Sequence, residues 1–234
     1  VSGPLSDSMQ GRVAAYYSKT DGYVENRMGE DKRSDDTVSL RGILNFELGD
    51  VSSLMLIGQY TDIDSRGGVF HARASKANAA GESVFCNPGD TDCGTYTAEL
   101  PVGTNGFFSG GALFDTANGF IDDGDGDVYA GAVDRNESGI QRQASNITAI
   151  YNTIFGNGLG FTSVTDYSAS DKEYAEDDDS TQYALVDYDA TADVKQFSQE
   201  FRVNGESEKM EWIAGVYYLN ISNDFTGAFA FPSD

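Results

Sequence analysis

The sequence is poor in the side chains that most enzymes and nucleic-acid-binding proteins depend on. It holds one His, two Cys, one Trp and four Pro among 234 residues, with 15 Lys and Arg against 38 Asp and Glu. A single imidazole, His71, leaves a serine or cysteine triad with one candidate base, and neither Ser65 nor Ser75 sits in a nucleophile-elbow context. A formal net charge of -23 without any Lys/Arg cluster removes the electrostatic basis for binding phosphate backbones. No apolar run approaches the roughly 18 residues of a membrane helix. Val1 opens neither a signal peptide nor an initiator sequence, so a mature, processed or partial chain is expected.

What is present is aromatic and alternating. The 13 Tyr and 14 Phe are too many for a disordered acidic tail. Period-two alternation, bounded by Gly, Asn, Asp and Ser, predicts seven antiparallel strands, near 9–17, 37–46, 53–61, 140–155, 159–169, 195–204 and 211–222. The second sets Val38, Leu40, Gly42, Leu44 and Phe46 against Ser39, Arg41, Ile43 and Asn45. Gly156-Asn157-Gly158-Leu159-Gly160 mimics part of a dinucleotide loop but leads into a strand, and reads as a hairpin turn. Residues 1–6 read as the end of a further strand plus a tight turn.

The connections alternate strictly. Short turns at 47–52, 156–158 and 205–209 take turns with long connections at about 19–36, 62–139 and 170–194. Short turns at one end and long loops at the other are the pattern of an outer-membrane barrel, whereas a compact soluble domain rarely tolerates an unstructured connection as long as 62–139. Charge follows the same division: nine acids and one Lys lie between Asp171 and Asp193, and seven acids and one Arg between Asp115 and Glu137. The fold class expected is therefore all-β: an antiparallel transmembrane β-barrel segment of about seven strands, with short periplasmic turns and long extracellular loops. Tyr17, Tyr60, Tyr151, Phe155, Tyr167, Trp212 and Tyr218 would form interfacial girdles, and Arg41, Arg142, Glu200 and Arg202 would be charges facing the lumen. The alternative is a secreted or surface β-sandwich binding module, calcium-loaded or not, with the aromatics in its core.

Seven strands do not close a barrel, and an open edge is not tolerated in lipid, so the chain is expected to be a portion of a longer one. Val1-Ser2-Gly3-Pro4-Leu5-Ser6-Asp7, Gly11-Arg12-Val13-Ala14-Ala15 and Asp21-Gly22-Tyr23-Val24-Glu25-Asn26 resemble early barrel strands of TonB-dependent outer-membrane receptors. Phe197-Ser198-Gln199-Glu200-Phe201-Arg202-Val203 and Met210-Glu211-Trp212-Ile213-Ala214-Gly215-Val216-Tyr217-Tyr218 are similar to a later strand pair of that family. The resemblance spans most of the chain outside the two longest loops. It implies one partial barrel domain over 1–234 in a bacterial outer membrane, lipid around it, a small nutrient ligand (a siderophore, vitamin or oligosaccharide), and TonB reached through a plug that this stretch does not contain. It implies no catalysis.

Two loop features stand apart. Cys86 and Cys93, flanking a six-residue polar stretch, are expected to form a local disulfide in an oxidising compartment. Asp123, Asp125 and Asp127 alternate with Gly124 and Gly126, a spacing that can wrap carboxylates around Ca²⁺. The stretch lacks the twelfth-position Glu of an EF-hand, and a solvated acidic loop is the plainer reading. So much acid at the mouth argues against anionic ligands unless a metal bridges them.

Overall fold

A computed structural model describes residues 1–26, 29–68, 75–77, 83–85, 130–131, 138–178 and 186–231. Eight strands form one antiparallel sheet: β1 (Ser2–Ser6), β2 (Met9–Thr20), β3 (Asp35–Glu47), β4 (Ser52–Arg66), β5 (Gly139–Ile154), β6 (Gly160–Asp177), β7 (Asp187–Ser207) and β8 (Met210–Ala230). Each pairs only with its neighbour in the chain, and β1 and β8 have one neighbour each, so the sheet among the described residues is an open meander. Two small ladders lie outside it, Glu25–Asn26 with Ala130–Gly131 and Ser75–Ala77 with Ser83–Phe85.

All seven expected strands are present, and residues 2–6 supply the eighth. The tight turns fall where the glycines and polar residues put them. At the β5–β6 turn, Phe155 N–H donates to Leu159 O at 2.8 Å, Gly158 N–H donates to Phe155 O at 2.8 Å, and the Asn157 side chain accepts from Leu159 N–H at 3.2 Å. Gly158 has φ +83°, a conformation that a side chain would resist. The β7–β8 turn is tighter still, with Ser207 opposite Met210.

The strands run further than the alternation of apolar residues suggested. β6 and β7 remain paired up to Asp177 and Asp187, which shortens the connection expected at 170–194. The reason is that alternation continues there in another currency: Asp171 and Glu173 point to one side, Lys172 and Tyr174 to the other. An antiparallel ladder tolerates a solvated, charged face as well as an apolar one.

No second layer covers the sheet among the described residues. Their buried apolar side chains are Val24 and Ala190, while Val13, Ile147, Ile213, Val216 and Tyr218 are exposed. A β-sandwich would bury one face of each sheet in a common core, and that core is missing from the described residues.

Candidate functional site

Residues directly opposite one another on paired strands share a face, so the register sorts the side chains into two sets. One face is apolar through its middle: Val13, Leu40, Leu44, Leu56, Ile147, Phe201 and Val216 lie on it. An aromatic line bounds this band on the side of the long connections. The row through Tyr17 passes Val38 and Asp62, so Tyr60 lies two residues lower on β4. The row through Tyr60 reaches Ala169, two residues above Tyr167, and the row through Tyr167 reaches Asn220, two above Tyr218. The line thus falls by one residue per strand. At about 3.3 Å per residue and about 4.8 Å between strands, that is a tilt of about 35°. Tyr151, Phe161 and Trp212 mark the opposite border, which slants the same way and falls four residues over three strands, while Phe155 sits in the adjoining turn, 6.4 Å from Phe161.

Beyond the upper line this face becomes charged, with Lys19, Asp36, Asp62, Asp171, Asp193 and Lys195. Lys19 pairs with Asp36 at 3.6 Å and Lys195 with Asp193 at 3.2 Å. Inside the band, one polar group satisfies itself. Thr165 Oγ1 donates to Gln199 Oε1 at 2.6 Å, and Gln199 Nε2 donates to Ser163 Oγ at 3.0 Å and to the carbonyls of Val164 and Glu200 at 3.0 and 3.1 Å. Aromatic pairs Phe161–Phe201 and Phe197–Tyr218 flank it. Thr165→Val removes the donor to Gln199 Oε1, and is expected to lower stability by about 1–2 kcal/mol. Adding Gln199→Leu, which removes the stranded amide, should recover most of that loss, as read by urea unfolding of both variants.

The other face carries most of the charged and amide side chains of β2 to β7 level with the band, interspersed with Ile43, Met55, Ile57 and Ile150. On β8 it presents Ile213, Tyr217, Leu219, Ile221 and Phe225. The four charges expected to share a surface, Arg41, Arg142, Glu200 and Arg202, all lie on it. Arg202 pairs with Glu200 at 3.2 Å. Asp166 joins them, accepting from Asn146 at 2.7 Å and Thr148 at 2.6 Å, and Ser39 bonds Thr61 at 3.1 Å. A recess of about 670 Å³ opens here, lined by Gln59, Thr61, Arg142, Asn146, Ser170 and Lys172. A second, of about 400 Å³, adjoins it toward the long connections and includes Tyr23, Arg33, Arg66 and Tyr174. Asp35, Ser65 and Ile140 line both.

An aromatic group stands at that end of the polar face. Tyr174 and Tyr188 meet edge to face at 6.2 Å, Tyr188 and Phe229 lie 4.8 Å apart, and Lys172 Nζ is 5.3 Å from the Tyr174 ring centre. Burial first, and then the hydrogen bond and charge of Glu176, push the Tyr174 hydroxyl well above its ordinary pKa, so it stays protonated at any physiological pH. Further toward the long connections, Lys32 is fully buried and donates from Nζ to Ser138 Oγ at 2.8 Å, while Arg33 N–H donates to Gly67 O at 3.0 Å. These bonds tie the β2–β3 connection to both ends of the β4–β5 connection.

Sequence reasoning did not single out Arg12, Asp166, Lys172, Tyr174, Tyr188 or Phe229 as site residues. The signal for most of them was the alternation that continues through the acidic runs. Cys86, Cys93, Asp123, Asp125, Asp127 and His71 lie outside the described residues. Among the described residues no three His, Cys, Asp or Glu side chains gather as metal ligands would.

No family model matches the sequence, and no curated protein matches it. Solved structures do share its fold. The ferric yersiniabactin uptake receptor FyuA from Yersinia pestis superposes with a TM-score of 0.60 at 10% identity, covering 99% of this chain and 29% of the receptor. FpvA of P. aeruginosa, bound to a heterologous pyoverdine with iron, gives 0.58 at 15% identity, over 99% of this chain and 26% of that one. FpvAI in complex with pyocin S2 gives 0.56 at 14% identity, over 98% and 26%. The chain spans less than a third of the length of each.

Proposed function

We propose that this chain is a stretch of the wall of a TonB-dependent receptor in a bacterial outer membrane, which takes up a scarce nutrient such as a siderophore, vitamin or oligosaccharide. The observation that carries the reading is the slanted apolar band between two aromatic lines, backed by a polar face. Outer-membrane strands tilt by roughly 35–45° and present an apolar belt with aromatic girdles to lipid and polar residues to the lumen. A tilt of about 35°, obtained from side-chain positions and register alone, meets that expectation. The apolar face is then the lipid side, the tight turns are periplasmic, and the long connections reach outward with the recesses at their base. The likeness of fold to uptake receptors supports the same assignment.

The whole receptor's transport also needs a plug to contact TonB and the remaining strands to complete the site. The test is accumulation of labelled ferric siderophores, cobalamin and maltooligosaccharides by cells carrying the full-length protein. The reading expects one class to accumulate, and an uncoupler or loss of TonB to abolish it. Accumulation of a ligand unaffected by either treatment would contradict energised uptake.

A further inference from the structure

Most acids of the upper sheet stand on the outer face, where Lys19 and Lys195 pair with two of them, while Asp35 and Glu176 stand on the inner one. Asp171, Glu173, Asp189 and Asp193 stand on the outer face with the apolar band, whereas Lys172 and Arg142 stand on the inner one. Those two cations are directly opposite each other on β6 and β5. Cα atoms of such a pair lie about 4.5–5.5 Å apart, and like charges so placed destabilise one another. Neither has a carboxylate partner among the described residues: Arg142 Nε donates to Ser170 Oγ at 3.1 Å, and Lys172 rests near Tyr174. In a chain with 38 acids and 15 Lys and Arg, two cations left facing each other are conspicuous. Both line the 670 Å³ recess, among Ser, Thr, Asn and Gln side chains that can also donate hydrogen bonds, with Asp35 as its one carboxylate among the described residues. Arg12 and Arg41, deeper on the same face, likewise have no carboxylate partner among the described residues.

We propose that Arg142 and Lys172 form a subsite for an anionic group of the ligand, a phosphate or a pair of neighbouring carboxylates, with Ser170 holding the guanidinium in place. Two adjacent cations suit one dianionic group, because an Arg offers a planar fork and a Lys a mobile point charge. The sequence expectation that an acidic mouth disfavours anions is thereby reversed, since Asp171, Glu173, Asp189 and Asp193 point away from the recess. The proposal rests on the polar face being the lumen side.

The test is isothermal titration of the full-length protein in detergent with inorganic pyrophosphate, citrate and uncharged maltotriose. At least one anion should bind. Arg142→Gln with Lys172→Gln should weaken that binding at least about tenfold, and Arg142→Lys with Lys172→Arg should restore most of it. Lys195→Gln, on the outer face, should leave binding unchanged. Binding of pyrophosphate alone would identify a phosphate ligand, and binding of citrate alone a carboxylate one. Absence of binding by both anions, or equal binding by the double Gln variant, would overturn the subsite while leaving the lipid-facing band intact. A loss with Lys195→Gln as large as with the double Gln variant would overturn it too, and would instead indicate that the faces are reversed.

Discussion

Arginine at position 147 is expected to prevent stable assembly in the membrane, while arginine at the adjacent position 146 is tolerated. Ile147 is 65% exposed and lies in the row that joins Val13, Gly42, Gly58 and Tyr167, within the apolar band and just inside its upper aromatic line. A charge on the lipid face of a barrel costs roughly 2–4 kcal/mol at the midplane and less toward the interfaces. Asn146 points to the opposite face, beside Asp166, where a guanidinium meets water and a carboxylate. One residue of difference in sequence therefore changes the sign of the outcome. Urea titration of Ile147→Arg and Asn146→Arg, folded into phospholipid vesicles, measures the contrast directly. A protein with water on both faces should show little difference between them.

Gly139→Ala should be nearly as damaging for an unrelated reason. Gly139 opens β5 opposite Arg66, with φ +154°, and a Cβ there would collide with the carbonyl oxygen of Ser65 and lie 2.8 Å from the Arg66 Cα. Both obstacles are backbone, so no side chain can swing away. The first pair of the β4–β5 ladder would have to separate, taking with it the bond from Gly67 N–H to Ser138 O at 3.1 Å. A loss of about 3 kcal/mol is expected, in the range where strained backbone and a broken ladder combine. Gly156→Ala is the control, since an added Cβ there meets nothing within 4 Å. Thermal unfolding of the two variants should differ by several degrees or more. Equal melting temperatures would mean that the two strands are not held as described.

How much of this was legible in the sequence depended on whether a signal was local. In β3 the alternation of Val38, Leu40, Leu44 and Phe46 with Ser39, Arg41 and Asn45 marks both the strand and its two faces. Gly156-Asn157-Gly158 marks the turn, and parity within each strand put Arg41, Arg142, Glu200 and Arg202 on polar faces before any pairing was known. Pairing was the missing quantity. The opposition of Lys172 and Arg142 depends on register across two strands, and the slant of Tyr17, Tyr60, Tyr167 and Tyr218 across seven. Acidic runs read as loops when charge is treated as incompatible with a strand, yet a strand whose face meets water carries Asp171 and Glu173 at little cost. The same equation of charge with loop hid Lys172, Tyr174 and Tyr188. The Lys32–Ser138 bond, 106 residues apart in the chain, left no local trace.

The central claim is that one face of this sheet meets lipid and the other water. Single nitroxide labels placed in turn along β5, from Gln143 to Asn152, in the full-length protein in bilayers, test it most directly. Oxygen, which concentrates in hydrocarbon, should reach labels at Ser145, Ile147, Ala149 and Tyr151. A water-soluble nickel complex should instead reach those at Ala144, Asn146, Thr148 and Asn152. The two accessibilities should oscillate with period two and in opposite phase. Accessibilities that rise and fall together, or nickel reaching both sets alike, would contradict the account.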